Sequence, residues 1–198
     1  MTPFEADGDV CLGFWAEAWQ AGVVTFPEGA HVLEIGCAEA DWLTPMKTAR
    51  PDLHLTGLDW RGQIDRPGAD VLLQADVLTY EFPVASFDAV VAISTIEHIG
   101  LSAYGGDPRD PEGDTHTMER IARWLRPRGF VYLDVPYRPD GTGFLADPQY
   151  RAYGPDTLVS RLVVPPLVEE WRSSLLAIGH LDGPCLSLVL RHQGANHA

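Results

Sequence analysis

Val32-Leu33-Glu34-Ile35-Gly36-Cys37-Ala38-Glu39-Ala40 is the most informative run of this sequence, because an apolar segment ends there in an acid and a set of small residues. Gly36, Ala38 and Ala40 stand at alternate positions just before a segment with helical spacing. Small residues let the backbone approach a ligand, and open α/β sheets bind ligands at the carboxyl ends of their strands. The run predicts a buried strand and a ligand-binding turn; the alternative is a tight turn that binds nothing.

Apolar runs bounded by turn residues alternate with helical patterns over the rest of the chain. This alternation predicts an α/β fold with a mostly parallel sheet and helices on both faces. The predicted strands cover residues 31–36, 53–59, 71–75, 87–93, 130–135 and 185–191, and the predicted helices cover 10–22, 40–50, 115–125 and 168–179. Residues 1–28 are predicted to be an N-terminal helical segment, and residues 136–157, rich in Pro, Gly, Asp and Tyr, a lid or acceptor loop.

The composition predicts one globular domain that does not bind nucleic acid. The chain has 198 residues and a formal net charge of −14 at pH 7, whereas nucleic-acid affinity depends on Lys and Arg that neutralise phosphates. Cys11, Cys37 and Cys185 are widely spaced with no CxxC pair, which disfavours a zinc site or disulfide framework and suits a reducing compartment. The N-terminal residues lack a secretion-signal pattern, and no apolar run is long enough to cross a bilayer. We therefore expect a cytoplasmic protein with no membrane partner.

Two kinds of nucleotide site compete for the turn after the first strand. The dinucleotide fingerprint GxGxxG would place a small residue at position 41, but Asp41 would bring a carboxylate toward the pyrophosphate. Glu34, two residues before the first glycine, has no role in that fingerprint. The run instead resembles the glycine-rich loop of class I S-adenosylmethionine-dependent methyltransferases, whose pattern is acid-x-Gly-x-Gly-x-Gly. Ala38 and Ala40 replace two of the glycines of that pattern.

Further elements of this methyltransferase pattern follow in order, over about residues 30–135. The resemblance implies a doubly wound, mostly parallel sheet of the seven-stranded type with helices on both faces and an antiparallel C-terminal strand. It implies that Asp59 accepts hydrogen bonds from the ribose hydroxyls, that Trp60 lies against adenine and that Asp76 receives the adenine amino group. The implied cofactor is S-adenosyl-L-methionine, and the implied cofactor-binding residues are Glu34, Gly36, Cys37, Ala38, Asp59, Trp60, Asp76, Val77, Ser94 and Thr95.

Glu97 and His98 are the candidate catalytic residues. They follow the fourth predicted strand at the ligand-binding edge, and a positioned His or Glu can take the proton that a hydroxyl acceptor loses during methyl transfer. In many related methyltransferases the corresponding Glu-His pair supports the fold or the cofactor loop instead. Both roles stay open for His98.

The candidate acceptor-binding residues are Tyr104, Tyr137, Arg138 and Tyr153, because aromatic and Arg side chains suit a sugar, an aromatic ring or an anionic group. The loop between residues 104 and 116 also carries Asp107, Asp110, Glu112, Asp114 and His116, which are residue types that bind divalent ions. A Pro-rich loop that ends in a helix cap at Asp114 or Thr115 explains these residues more simply. We therefore predict no metal site.

The sequence favours a methyltransferase that acts on a small molecule, by O-methylation of a sugar or secondary-metabolite acceptor. The segment at 94–100 and the loop at 104–116 also resemble a branch of the superfamily associated with glycan and secondary-metabolite pathways. One alternative is a non-catalytic S-adenosylmethionine-binding or scaffold subunit, and another is a methyltransferase for protein or nucleic acid. Asp134-Val135-Pro136-Tyr137 only partly matches the motif of base-amino methyltransferases and follows the fifth strand instead of the fourth. The predicted partner is a small-molecule acceptor, and the sequence allows a homodimer.

Overall fold

The computed structural model describes residues 10–39, 41–62, 64–105, 110–142, 145–174, 176–177 and 184–194. The helices are α1 (Val10–Gln20), α2 (Leu43–Ala49), α3 (Gly113–Trp124) and α4 (Pro155–Leu162). The strands are β1 (His31–Ile35), β2 (His54–Asp59), β3 (Val71–Gln74), β4 (Phe87–Ala92), β5 (Leu125–Pro136), β6 (Leu145–Asp147), β7 (Tyr150–Arg151), β8 (Leu167–Arg172), β9 (Leu176–Ala177) and β10 (Pro184–His192). Short 3-10 turns lie at Ile96–His98 and Ala103–Gly105.

One large sheet organises these elements, with the strand order β3-β2-β1-β4-β5-β10-β8 and with β9 paired to β10. Strands β1 to β5 are parallel to one another, and β10 is antiparallel to both β5 and β8. The order reverses between β1 and β4, which is the kind of switch point where open α/β sheets form a ligand crevice. The predicted doubly wound sheet with an antiparallel C-terminal strand is confirmed.

Both faces of the sheet are buried, which explains why the central strands are nearly continuous in apolar residues. In β4, Val90 and Ala92 join the apolar cluster on the side of α3 and α4, whereas Ala89 and Val91 join the cluster on the other side. The second cluster contains the fully buried Trp15 of α1 and the buried side chains of α2. Helices therefore cover each face, and the strand ends are left as the accessible edge.

The predicted helix over residues 168–179 is wrong, because the described residues of this range include the strands β8 and β9. Strand β10 is buried along most of its length, so its outer backbone groups need hydrogen-bond partners that a helix would not supply. Strand β8 supplies them, with Trp171 opposite Val189 and Glu169 opposite Leu190. The sequence pattern was ambiguous because β8 exposes most of its residues at the edge of the sheet.

The segment at 136–157 contains more regular structure than the predicted lid or loop. It includes the β6-β7 hairpin and the first turn of α4, and Arg151, Ala152 and Tyr153 in it are buried. The N–H of Gly154 donates to Thr157 Oγ1 at 2.8 Å and closes the beginning of α4. Elsewhere the predicted elements exist with shifted ends; α2, for example, begins at residue 43 instead of 40. None of the helices in the ranges given above is long and apolar enough to span a bilayer.

Candidate functional site

The carboxyl ends of β1, β2, β3 and β4 meet at one edge of the sheet. The N–H of Gly36 donates to Leu58 O at 2.8 Å, and the N–H of Ala75 donates to Asp59 O at 3.0 Å. The side chain of Thr95, just beyond β4, lies directly over Gly36. The structure therefore brings together the strand ends on which the sequence placed its candidate ligand-binding residues.

Gly36 is in a conformation that only glycine adopts readily. Its φ is +81°, and a Cβ atom added there would lie 2.1 Å from Thr95 Oγ1 and 2.6 Å from Thr95 Cγ2. Thr95 is fixed in this place by a 2.8 Å hydrogen bond from its hydroxyl to Ile93 O. The turn after β1 and the turn after β4 thus pack without room for another atom, and the missing side chain makes the close contact feasible.

Glu34 is a buried carboxyl group at the end of β1. Its exposed fraction is 1%, and its Oε2 atom has no hydrogen-bond partner within the described part of the chain. Burial raises the pKa of Glu34 well above its ordinary value, the nearby Arg66 opposes this shift, and the carboxylates of Asp41 and Asp59 add to it. A buried polar atom without a partner is costly in a folded protein, so Glu34 is well suited to a polar group of a ligand.

The carboxylate of Asp59 is held by hydrogen bonds from Arg61 and from the backbone of Ala38. Its Oδ1 accepts hydrogen bonds from the backbone N–H of Arg61 at 2.9 Å and from Arg61 Nε at 3.0 Å. Its Oδ2 accepts from Arg61 Nη2 at 3.0 Å and from the N–H of Ala38 at 3.1 Å. The Ala38 contact ties the end of β2 to the turn after β1, as a shared ligand site requires.

Trp60, Asp76 and Val77 lie next to this edge in different settings. Trp60 is 45% exposed, so its ring is accessible to a ligand. Asp76 is partly buried and accepts a hydrogen bond from the N–H of Leu78 at 2.9 Å, while Val77 packs in the core. The Cys37 side chain is also in the core, where burial raises the pKa of its thiol to about 12. Only the backbone of Cys37 is therefore at the turn.

Arg66, which the sequence did not predict as a site residue, supports the turn after β1 from outside. Its Nε donates to Cys37 O at 2.8 Å, and its Nη2 donates to Ala38 O at 2.7 Å and to Glu39 O at 3.3 Å. One guanidinium group thus binds three consecutive carbonyl groups. Because Arg66 lies in an irregular Pro- and Gly-containing loop, no sequence pattern links it to a turn far upstream.

Asp134 supports the turn after β4 in a similar way. Ser94 has a φ of +43°, which is uncommon outside glycine, and both its N–H and its hydroxyl donate to Asp134 Oδ1 at 2.9 Å. Asp134 is buried near the end of β5. The available signal in the sequence for this role of Asp134 is an acid within an otherwise apolar strand.

Glu97 and His98 form the first turn beyond this point. Burial raises the pKa of Glu97 well above its ordinary value, and the carboxylate of Asp134 adds to the shift. Since a carbonyl can only accept a hydrogen bond, the 2.7 Å contact between His98 Nδ1 and Gln149 O places the ring proton on Nδ1. Nε2 then carries a lone pair and lies 3.9 Å from Glu97 Oε1. Burial lowers the pKa of His98, so its neutral form dominates at neutral pH.

Tyr104 is a half-exposed aromatic side chain at the mouth of the site. Its ring centroid is 5.3 Å from that of His98 and 4.3 Å from the Arg61 guanidinium carbon, and its hydroxyl is 3.4 Å from Glu39 Oε2. Burial raises the pKa of the Tyr104 phenol to about 12, so the hydroxyl stays protonated. Tyr104 therefore lies between His98 and Arg61, the residue that pairs with Asp59.

The other predicted acceptor residues are placed differently. Tyr153 is fully buried and donates its hydroxyl to Asp114 Oδ2 at 2.9 Å, which does not support a contact with an acceptor. Tyr137 is also in the core, and its backbone forms a bridge with that of Tyr153. Arg138 is half-buried, and its N–H donates to Tyr153 O at 2.7 Å. Burial thus removes the two tyrosines from the accessible edge.

A buried ion-pair network holds the segment that carries His98. Asp114 and Arg151 are both fully buried, with Arg151 Nε 3.5 Å from Asp114 Oδ1, and Arg161 Nε donates to Asp114 Oδ2 at 2.8 Å. Arg151 Nη1 also donates to the carbonyl groups of Glu97 and Ile99. Asp114 is therefore neither the expected helix cap nor available to a metal ion; Asp107, also considered as a metal ligand, lies outside the described residues.

The chain resembles known proteins both in sequence and in structure. A family model described as "Caenorhabditis protein of unknown function, DUF268" matches residues 70–163. A curated relative, 27-O-demethylrifamycin SV methyltransferase from Amycolatopsis mediterranei (strain S699), is 30% identical over 139 residues, a match that covers 64% of this chain and 46% of that protein. The chain therefore spans less than half the length of this relative.

Solved structures resemble nearly the whole chain. One is a chain of the complex between the Haloferax volcanii Trm112 methyltransferase activator and a methyltransferase (TM-score 0.68, 17% identity, 93% of this chain and 92% of that chain). Another is 1,6-didemethyltoxoflavin-N1-methyltransferase from Burkholderia thailandensis with bound S-adenosylhomocysteine (TM-score 0.65, 16% identity, 94% and 79%). A third is the N-methyltransferase NodS from Bradyrhizobium japonicum WM9 with S-adenosylhomocysteine (TM-score 0.62, 16% identity, 96% and 90%). At these identities the likeness concerns the fold.

Proposed function

We propose that this chain, which has the Rossmann-like fold of class I S-adenosylmethionine-dependent methyltransferases, is itself such an enzyme and methylates a small molecule. The observation that carries the proposal is Glu34, a buried carboxyl group whose Oε2 has no hydrogen-bond partner in the described ranges, beside a turn that tolerates only glycine at position 36. Such a group favours a ligand with a polar head at the switch point of the sheet.

The residues at this edge fit S-adenosylmethionine. Glu34 would bind the amino group of its methionine portion, and Asp59 would accept hydrogen bonds from its ribose hydroxyls. The exposed ring of Trp60 would lie against adenine near Asp76. The backbone at Gly36 and Ala38 and the turn at Ser94 and Thr95 would complete the site. When bound, this cofactor supplies an electrophilic methyl group on a sulfonium sulfur.

His98 would act as the general base for a hydroxyl acceptor. Its Nδ1–H is fixed on Gln149 O, so the lone pair on Nε2 can take a proton, and the lowered pKa of His98 keeps the ring neutral. Tyr104 and His98 would form aromatic walls for the acceptor at the mouth. Methyl transfer needs little covalent catalysis, so holding the acceptor in line supplies most of the rate.

A small-molecule acceptor, such as a sugar or a secondary metabolite, is favoured over a macromolecule. The formal net charge of −14 disfavours nucleic acid. The curated relative is named for methylation of 27-O-demethylrifamycin SV, and one structural neighbour contains bound 1,6-didemethyltoxoflavin. Oxygen is the proposed acceptor atom because a hydroxyl group is the acceptor for which the neutral His98 base is useful.

The second candidate function is that of a subunit that acts only together with a second protein chain, since one structural neighbour comes from a complex with a methyltransferase activator. In this case the isolated chain would bind S-adenosylmethionine but turn over no acceptor. Light scattering of the purified chain would separate a monomer from a homodimer, and methylation assays with the chain alone would separate autonomous activity from partner-dependent activity.

Calorimetric titration with S-adenosylhomocysteine tests cofactor binding. We expect the wild-type chain to bind it and Asp59→Ala to bind about tenfold or more weakly, because hydrogen bonds to a charged acceptor are lost. Asp52→Ala is the matched control, since Asp52 lies before the opposite end of β2 and pairs with Arg50. Failure of folded wild-type protein to bind either S-adenosylmethionine or S-adenosylhomocysteine would end the proposal.

His98→Asn tests the proposed base. The Asn side chain can still donate to Gln149 O in place of Nδ1, but it offers no basic nitrogen. With an acceptor identified from a panel of sugars and phenolic metabolites by mass spectrometry, kcat is expected to fall about 100-fold or more while the cofactor affinity is retained. An unchanged kcat would assign His98 to structural support.

A further inference from the structure

The carboxylate of Asp59 has no free hydrogen-bonding position. A carboxylate offers about four acceptor positions, and in this structure Arg61 fills three of them through its N–H, Nε and Nη2, while Ala38 N–H fills the fourth. Two of these four contacts come from the guanidinium group. The two hydroxyls of a ribose therefore find no position on Asp59 until that guanidinium group leaves.

Arg61 can leave without losing all its partners. Its Nη1 donates to Glu39 Oε1 at 2.7 Å, and its guanidinium carbon lies 4.3 Å from the centroid of the Tyr104 ring. The Arg61 side chain is 24% exposed, whereas the Asp59 side chain is 1% exposed and stands at the end of a buried strand. Arg61 is thus the more exposed member of the pair, and it already has other partners in Glu39 and the Tyr104 ring.

We propose that Arg61 determines cofactor affinity by occupying the positions on the Asp59 carboxylate that a ribose would use. The vicinal diol of a nucleoside displaces the Arg61 guanidinium group from these positions. This inference rests on the proposed function, because it takes S-adenosylmethionine or its demethylated product as the nucleoside. Two hydroxyl donors replace two guanidinium donors on the same oxygen atoms, so Asp59 keeps its hydrogen bonds. Arg61 then keeps Glu39 and the face of Tyr104, which hold its positive charge at the mouth.

Arg66 provides a matched control in the same loop. It is also an arginine with partly buried hydrogen bonds, but its partners are the carbonyl groups of the turn after β1. Loss of Arg66 removes support from the turn, whereas loss of Arg61 removes a competitor of the ribose hydroxyls for the Asp59 carboxylate. The two substitutions are therefore expected to change the affinity for a nucleoside in opposite directions.

The test is calorimetric titration of the full chain with S-adenosylhomocysteine, with thermal unfolding of each variant measured in parallel. Arg61→Ala is expected to bind about tenfold more tightly than wild type, the scale of one charge-assisted bidentate contact, and Arg66→Ala more weakly. Arg61→Gln serves if the alanine variant does not fold. Because salt weakens an ion pair, an increase from about 20 mM to about 300 mM KCl is also expected to favour binding more in wild type than in the Arg61 variant.

The outcomes separate this inference from the proposed function. If wild type binds S-adenosylhomocysteine and a folded Arg61 variant binds it equally or more weakly, Arg61 is a fixed counter-ion of Asp59 and the exchange is overturned. Equal responses of wild type and the Arg61 variant to added salt overturn it as well. If neither wild type nor variant binds while both are folded, the proposed function itself fails and the exchange fails with it.

Discussion

Replacement of Gly36 by alanine is expected to destabilise the fold by about 2–5 kcal/mol. Two costs combine at this position. An L-residue at a φ of +81° costs about 1–2 kcal/mol, and a methyl group forced against the turn after β4 costs about 1–3 kcal/mol more, because it would lie 2.1 Å from Thr95 Oγ1. Urea unfolding followed by circular dichroism measures the change in the free energy of unfolding.

Gly22→Ala separates the two costs. Gly22 has a φ of +71°, but a Cβ atom there would meet nothing within 4 Å, so this substitution carries only the backbone cost of about 1–2 kcal/mol. The excess destabilisation by Gly36→Ala over Gly22→Ala therefore reports the contact with Thr95. If the two substitutions destabilise equally, Thr95 does not lie over Gly36 and the argument for convergence of the strand ends is refuted.

Thr95→Ala is expected to relieve part of this excess in the double variant. It removes the Oγ1 and Cγ2 atoms that would lie 2.1 Å and 2.6 Å from the added methyl group, but Thr95 Cβ would remain at 2.9 Å. The non-additive part of a double-mutant cycle measures the relief. Strict additivity would show that the two positions do not interact.

Three further predictions concern charge and burial. Asp114→Asn is expected to lower the free energy of unfolding in urea by about 3–5 kcal/mol, because it leaves a buried guanidinium group without its carboxylate. Glu112→Gln, at the exposed rim of the same network, is expected to lower it by less than about 1 kcal/mol. Similar losses for the two variants would refute the buried pair. The hydrogen bond to Asp110 raises the pKa of His116, so this pair stabilises the protein fully below about pH 6.5 and loses its effect as pH rises through the raised pKa. The difference in Tm between wild type and His116→Ala should therefore be larger at about pH 5.5 than at about pH 8.5, and the reverse order would contradict the pairing. Burial raises the pKa of the Cys37 thiol to about 12. Cys37 should therefore stay unmodified by iodoacetamide in native protein at about pH 8 and react after unfolding, which peptide mass spectrometry measures.

The parallel core of the sheet could be predicted from the sequence because its strands are buried on both faces. Strands such as β1 and β4 are therefore nearly continuous apolar runs, and an acid near the carboxyl end of such a run, as in β1, stands out against it. Glu34 was found in this way, whereas Asp59 was found through the resemblance to the methyltransferase pattern. The C-terminal part was harder, because the edge strand β8 exposes most of its residues and its pattern could not be distinguished from a helix.

The partners of the site residues were decided only by the tertiary structure. Arg61 and Glu39, or Arg66 and Cys37, are separated by 22 and 29 residues, and nothing local in the sequence relates them. The buried Asp114 and Arg151 and the partly buried Arg161 meet only after α3, β7 and α4 have packed. Periodicity and strand-end acids depend on local backbone geometry, so they can be recognised in the sequence. A contact between two loops depends on where the whole sheet places them. Tertiary packing alone therefore determined that the Asp59 carboxylate is occupied by Arg61.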